Sequence, residues 1–163
     1  MAVEERRIVV AVDESEESMH ALSWFLKNVL SRNSQSTLTI LHARRPVAVY
    51  PGVDKTSSLF SHDVFSSLER RDTEMATWVL EKATKMCSPY DVKVETRVEE
   101  GDPREVICEM VNSLKADLLV MGSRGYGVLA RSIMGSVSNH CVQNANCPVL
   151  VVKMPKSSPV GSK

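Results

Sequence analysis

Residues 118–136 read LLVMGSRGYGVLARSIMGS. The stretch begins with four apolar residues, 118–121, and then holds four of the seven glycines of the chain within residues 122–135. An unbroken apolar run followed by glycines is typical of a buried parallel strand that ends in a tight loop. Because glycine lets a ligand come close to the main chain, a strand, a glycine loop and a helix start together offer N–H groups to an anion. The stretch therefore predicts a phosphate site of the kind that holds a nucleotide.

The segments on either side of this stretch alternate between strand and helix patterns. Apolar or alternating runs predict five strands, at residues 8–12, 38–43, 92–98, 118–121 and 149–152. Apolar residues at helical spacing predict a helix between each pair of consecutive strands, the last from Ser136 to Asn144. This alternation predicts a single doubly wound α/β domain, with a five-stranded parallel sheet of order 3-2-1-4-5 and helices on both faces. Residues 45–61 show no periodicity and are predicted to form a long loop.

Two of the predicted helices have recognisable starts. Asp13 and Glu16 have capping-box spacing, which predicts a helix that runs to about residue 31. Asp102 is predicted as the N-cap of the third helix, with Pro103 at its first position. Asp13 also follows the first strand directly, so it is predicted to lie at the carboxyl edge of the sheet beside the glycine loop.

Composition excludes several classes of protein. Twenty basic residues balance twenty acidic ones, which argues against a general nucleic-acid binder. The apolar run near the amino end is too short for a signal peptide or a membrane span, so no membrane association is predicted. The four cysteines form no CxxC pair and no cluster with histidine, which predicts reduced thiols and no metal site. We expect a cytoplasmic protein, with a nuclear location as the alternative.

Two familiar glycine motifs do not fit the chain. A Walker A motif needs a lysine after its last glycine, whereas Ser136 follows Gly135 directly. Residues 125–130 match G-x-G-x-x-A, but they follow the fourth strand rather than the first, and no acidic residue is placed to hold a ribose. Neither a P-loop enzyme nor a dinucleotide-binding domain is therefore predicted.

The spacing that does fit is G-2x-G-9x-G-[ST], formed by Gly122, Gly125, Gly135 and Ser136. With this arrangement the chain resembles the ATP-binding subgroup of the universal stress protein family, most of all its plant members. The resemblance extends over VVAVDES, LLHA, EGDPREVI, ADLLVMGSRGYG, GSVSN and CPVLVVK. It implies one family domain over residues 1–153, and the composition of residues 154–163 predicts a disordered tail.

The resemblance also implies an adenine nucleotide, ATP or AMP, with Mg²⁺ carried by the phosphates. Contacts to the nucleoside would come from Ala11, Val12, Asp13 and the main chain of Ala43; Met121 and Gly122 would line the base and ribose; Gly125, Gly135, Ser136 and Val137 would hold the phosphates. No residue is assigned as catalytic or as a metal ligand. The family commonly has glycine after the aspartate of the first strand, and Glu14 at that position predicts weaker binding.

The predicted function is that of a stress-response regulator whose conformation or assembly reports ATP. Two alternatives remain: a slow ATP hydrolase that uses the same pocket, and a ligand-free interaction module. No Walker lysine or arginine-finger motif is present, and His42 and His140 have no partner nucleophile in a recognisable motif, so they are interpreted as structural. The regulator is therefore favoured over the hydrolase.

The last strand predicts a homodimer. Residues 149–152 are wholly apolar, yet the predicted order places them at the edge of the sheet. An exposed edge strand has unpaired N–H and C=O groups that promote aggregation unless they are covered. Pairing through Val149–Val152 with a second copy would cover them, and the family resemblance implies the same antiparallel contact.

Overall fold

A computed structural model describes residues 4–32, 35–46, 62–124 and 134–155. Within these residues the elements are β1 (Arg6–Ala11), α1 (Glu16–Asn28), β2 (Ser36–Arg44), α2 (His62–Cys87), β3 (Lys93–Glu100), α3 (Pro103–Ser113), β4 (Leu118–Gly122), α4 (Ser136–Asn144) and β5 (Val149–Val152). Most of the predicted loop 45–61 and of the predicted tail 154–163 lies outside the described residues.

The five strands form one parallel sheet in the order β3-β2-β1-β4-β5, which confirms the predicted fold. β1 is the central strand, and Ile8 lies opposite Leu38 on β2 and Leu118 on β4. The apolar runs of β1, β2 and β4 are buried because both faces of the sheet are covered by helices.

Two cores fill the space between the sheet and its helices. α1 and α2 cover one face, where Phe25 and Val79 pack against Ile40 among other buried side chains. α3 and α4 cover the other face, where Val111 and Cys141 lie in one cluster with Leu119. Side chains that alternate along each buried strand contribute in turn to the two cores, as the period of a β-strand requires.

The start of α1 differs from the prediction. Its N-cap is Ser15 rather than Asp13, because the Ser15 hydroxyl accepts the backbone N–H of Ser18. The helix also ends at Asn28, earlier than the predicted residue 31, since the N–H of Leu30 reaches back to the carbonyl of Phe25 and leaves the α-helical pattern.

The start of α3 agrees with the prediction. The Asp102 carboxylate accepts the backbone N–H of Arg104 at 3.0 Å and pairs with the Arg104 guanidinium at 2.7 Å, with Pro103 in the first turn. The hydrogen bonds from Arg104 lower the pKa of Asp102 to about 2, so this cap stays ionised well into the acidic range. None of the described helices combines the length and the apolar character that a membrane crossing requires.

Candidate functional site

A cleft of about 500 Å³ opens at the carboxyl ends of β1, β2 and β4. The chain leaves β1 and β4 here towards opposite faces of the sheet, and doubly wound sheets bind their ligands at this kind of switch point. The cleft is lined by Ala11, Val12, Asp13, Ala43, Met121, Gly122, Gly135, Ser136 and Val137, all of them predicted site residues. The tenth, Gly125, lies outside the described part of the chain.

A larger and more open hollow of about 900 Å³ lies at the opposite end of the sheet. Its lining includes the amino-terminal residues of β1 and the residues that precede β4 and β5, such as Arg6, Asp117 and Pro148. None of the four described helices begins at that end, because the helices of a parallel α/β fold start at the carboxyl end of the sheet. Within the described residues, the smaller cleft is therefore the better candidate for an anionic ligand.

The turn between β1 and α1 holds Asp13 at the mouth of the cleft. One oxygen of its half-buried carboxylate accepts the backbone N–H of Ser15 at 2.9 Å and also the Ser15 hydroxyl. The hydroxyl of Ser18 lies 3.1 Å from the Asp13 nitrogen and 3.0 Å from the Asp13 carbonyl. Serine side chains thus fix both the backbone and the carboxylate of Asp13, whereas Ser15 performs the capping that had been predicted for Asp13.

Gly122 ends β4 where the first turn of α1 crosses the sheet. A β-carbon at this position would lie 3.0 Å from both the carbonyl carbon and the oxygen of Glu17. On the other side, the Ser138 hydroxyl donates to the Gly122 carbonyl at 2.7 Å. Gly122 is therefore required for the packing of α1 against β4, in addition to any contact with a ligand.

We expect Gly122→Ala to lower the stability of the domain by about 1–3 kcal/mol, since the added methyl group meets backbone atoms that cannot rotate away. In a domain of this size such a loss lowers Tm by roughly 2–12 °C. Thermal melts followed by circular dichroism measure it, and Gly122→Val, with two more carbons, is expected to lose more. An unchanged melt for both variants would contradict the close packing.

The amino terminus of α4 is the strongest anion-binding feature of the cleft. Gly135 is its N-cap, with φ −57° and ψ 154°, and because glycine has no side chain it makes no capping hydrogen bond of its own. The N–H of Gly135 donates to the Ser123 carbonyl at 2.7 Å, which ties the helix start to the end of β4. The first-turn amides of a helix and its dipole both favour a negative group. Ser136 is exposed and adds a hydroxyl at the same position.

His42 joins the two central strands beneath the cleft. It is buried, and its Nδ1 lies 2.9 Å from the carbonyl oxygen of Val12. Because a carbonyl only accepts, Nδ1 is the donor of this hydrogen bond. This bond holds the backbone of Val12, the residue before Asp13.

Several cleft residues were not predicted as site residues, among them Ser18, His42, Asp72, Met75 and Ile107. Asp72 and Met75 are three residues apart on α2, a spacing that places them on one face of the helix. The spacing of these two residues is visible in the sequence, but the sequence does not indicate which face of α2 lines the cleft. The amphipathic pattern of α2 alone could not separate cleft residues from surface residues.

Charges of both signs surround the cleft. Arg44, Arg45 and Arg124 line it together with acidic side chains, including Glu14. Arg44 is held by Glu100 at 3.2 Å. The residue that departs from the family pattern, Glu14, thus lies in the lining of the cleft.

Sequence comparison identifies the family. The model of the universal stress protein family matches residues 5–153. The chain belongs to this family. A universal stress protein A-like protein of Arabidopsis thaliana is 30% identical over 164 residues, which cover 94% of this chain and 93% of the relative. A universal stress protein of Methanocaldococcus jannaschii is 34% identical over 151 residues, covering 93% of this chain and 84% of the relative.

The solved structures include other universal stress proteins. One from Arabidopsis thaliana, determined with AMP bound, superimposes with a TM-score of 0.67 at 25% identity, and the match covers 93% of each chain. The family resemblance predicted from the glycine spacing is confirmed, as is the Rossmann-like α/β fold of its members.

Proposed function

We propose that this universal stress protein binds an adenine nucleotide, ATP or AMP, in the cleft at the carboxyl ends of β1, β2 and β4. The observation that carries the proposal is the start of α4 at Gly135, an N-cap residue without a side chain, which lies in the cleft together with the other predicted site residues that the structure describes. The AMP-bound relative from Arabidopsis thaliana supports the choice of an adenine nucleotide.

The two ends of the cleft differ in a way that suits the two ends of a nucleotide. Met121 and Ala11 belong to the apolar core, so they offer an apolar wall to a base. Gly135, Ser136 and Val137 offer amides and a hydroxyl to phosphates. Asp13 lies in the turn after β1, where a carboxylate would accept hydrogen bonds from ribose hydroxyls. Mg²⁺ would reach the site on the phosphates of ATP, since phosphate oxygens are ligands that this ion prefers.

The nucleotide is proposed to act as a signal rather than as a substrate. Among the described residues that line the cleft there is no lysine, and of the three arginines there, Arg44, Arg45 and Arg124, Arg44 is held by Glu100. The sequence also has neither the Walker lysine nor an arginine-finger motif of the nucleotide hydrolases. Phosphoryl transfer depends on positive groups that stabilise the charge of the transition state. We therefore propose a stress-response sensor or switch, with a slow hydrolase as the alternative outcome.

We expect ATP and AMP to bind without turnover. Native mass spectrometry of freshly purified protein should detect a bound adenine nucleotide, and calorimetric titration should give a saturable isotherm. Incubation with ATP and Mg²⁺ should release no phosphate above the buffer control. Phosphate release that Gly135→Asp removes would establish the hydrolase, and absence of any binding would favour the ligand-free interaction module.

We also propose that the protein is a homodimer through β5. This strand pairs with β4 along one edge, and none of the described strands pairs with its other edge. Val149, Leu150 and Val151 are only half-buried in the single chain. A second copy related by a two-fold axis would pair antiparallel with β5 and cover both its backbone groups and these side chains.

A further inference from the structure

Three of the four cysteines lie in one core. Cys141 belongs to the cluster between the sheet and the helices α3 and α4, and Cys108 and Cys147 pack against that cluster. Cys87 lies in the core on the opposite face of the sheet. All four cysteines are free thiols. The sheet therefore separates a group of three thiols from a single one.

Within this group, one pair is in direct contact. The Sγ atoms of Cys108 on α3 and Cys141 on α4 are 3.9 Å apart. A disulfide has an S–S distance of about 2.05 Å, so bond formation needs an approach of roughly 1.9 Å, which side-chain rotation and a small movement of the two helices can supply. The two residues are 33 positions apart in the sequence, and only the packing of α3 on α4 brings them together.

We propose that Cys108 and Cys141 form a reversible intramolecular disulfide when the protein is exposed to a peroxide. The Cys108 thiolate attacks one oxygen of hydrogen peroxide and becomes a sulfenic acid, with loss of hydroxide. The sulfur of Cys141 then attacks the sulfenic sulfur, the S–O bond breaks, and the oxygen leaves as water with the Cys141 proton. Two thiols and one peroxide thus give one disulfide and two waters.

The surroundings of the two thiols assign their roles. Cys108 is half-buried and can be reached by a small oxidant, whereas Cys141 has no exposed surface. Burial raises the pKa of Cys141 to about 12, so its thiol stays protonated and reacts poorly with peroxide in solution. Cys108 is therefore the peroxide-reactive residue, and Cys141, already in contact, resolves the sulfenic acid.

The bond would connect two walls of the candidate cleft. α4 begins at Ser136, five residues before Cys141, and α3 contributes Ile107, the neighbour of Cys108, to the cleft lining. A covalent link between α3 and α4 restricts the opening of the first turn of α4. Oxidation is thus expected to alter the same helix start that we propose as the phosphate site, and this consequence alone rests on the proposed function.

The test uses the full-length protein, treated with hydrogen peroxide and then analysed by mass spectrometry without reduction. Wild-type protein should lose two hydrogens, about 2 Da, and peptide mapping should find Cys108 joined to Cys141 within one chain. Dithiothreitol should reverse the change. Cys87→Ala is the matched control, since it keeps this buried position apolar, and it should oxidise as the wild type does because Cys87 lies across the sheet.

Cys141→Ala keeps the buried position apolar and removes the resolving thiol. This variant should leave Cys108 as a sulfenic acid that dimedone traps. A disulfide that joins Cys108 to Cys147, a bond between two chains, or over-oxidation of Cys108 in the wild type with no disulfide would each overturn the proposal.

Amide hydrogen exchange, measured without any nucleotide, tests whether the disulfide changes the mobility of the helix start at the cleft. Amides in the first turn of α4, among them those of Val137 and Ser138, should exchange about tenfold more slowly in the oxidised protein. Equal exchange in both forms would overturn the link between the disulfide and the cleft. If the disulfide forms and no nucleotide binds to either form, the proposed function fails while this inference stands.

Discussion

We expect Gly135→Asp to abolish nucleotide binding and to leave the domain folded. Gly135 is the N-cap of α4 and has φ −57° and ψ 154°, angles that any residue adopts. Aspartate is among the preferred N-cap residues, and its carboxylate would accept the N–H groups of the first turn. The same N–H groups would then no longer be available to a phosphate.

The size of the effect follows from the added charge. A carboxylate about 4 Å from a phosphate is repelled by about 4 kcal/mol at an effective dielectric constant of 20. A loss of about 4 kcal/mol lowers the affinity roughly a thousandfold. Because micromolar binding has a free energy of only about 8 kcal/mol, the remaining binding would be too weak to detect at ordinary ATP concentrations. Calorimetric titration with ATP measures this loss. The thermal melt should be unchanged or slightly raised, because the new side chain caps α4.

Two controls separate charge from shape. Gly135→Asn has the same size and capping ability without the charge, so it should retain more affinity than Gly135→Asp. Gly135→Ala adds only a methyl group at an allowed φ, so it should weaken binding least and lose some stability as a poorer N-cap. Unchanged affinity in the aspartate variant would falsify the assignment of the phosphate site.

The second large effect is expected at the outer edge of the sheet, where Val151→Pro should convert the proposed dimer into monomers. The N–H of Leu119 donates to the Pro148 carbonyl, and the N–H of Ser123 donates to the Val152 carbonyl. In a parallel ladder the bonding groups belong to alternate residues, so the backbone groups of Val149 and Val151 point away from β4.

Proline at position 151 therefore removes a donor from the free edge and keeps the pairing of β5 with β4. We expect the dissociation constant of the dimer to rise about a hundredfold or more, from lost hydrogen bonds and the bulk of the ring. Sedimentation velocity at micromolar concentration measures it. Val151→Thr keeps the N–H and the branched shape, so it should remain dimeric. A wild-type protein that sediments as a monomer at these concentrations would contradict the proposed interface.

Local sequence patterns were sufficient to predict the helices and strands and their order along the chain. The apolar run of β4 and the glycines after it predict a buried strand and a loop from their own residues, and Asp102-Pro103 predicts the start of α3 in the same way. Alternation of strands and helices then restricts the topology to a parallel sheet. The strand order followed because Asp13 and the glycine loop could meet only if β1 lies beside β4.

The N-cap of α1 was predicted at Asp13, two residues before the observed Ser15. Asp13 and Ser15 are both good N-cap residues, and local spacing does not choose between them. The choice depends on the last residue that pairs with β2, since the Val12 N–H still donates to the Leu41 carbonyl and keeps the chain extended. The helix can begin only after this pairing ends.

Other features depended on contacts between distant parts of the chain. Gly122 lacks a side chain because the backbone of Glu17 passes within 3.0 Å of its β-carbon position. His42 holds Val12 across 30 residues of sequence, and Cys108 meets Cys141 across 33. Helix and strand patterns arise between residues a few positions apart, so the sequence by itself determined the elements, their order in the sheet and the family. Distances between side chains on different elements depend on how the helices pack against the sheet. Only the tertiary structure determined these distances.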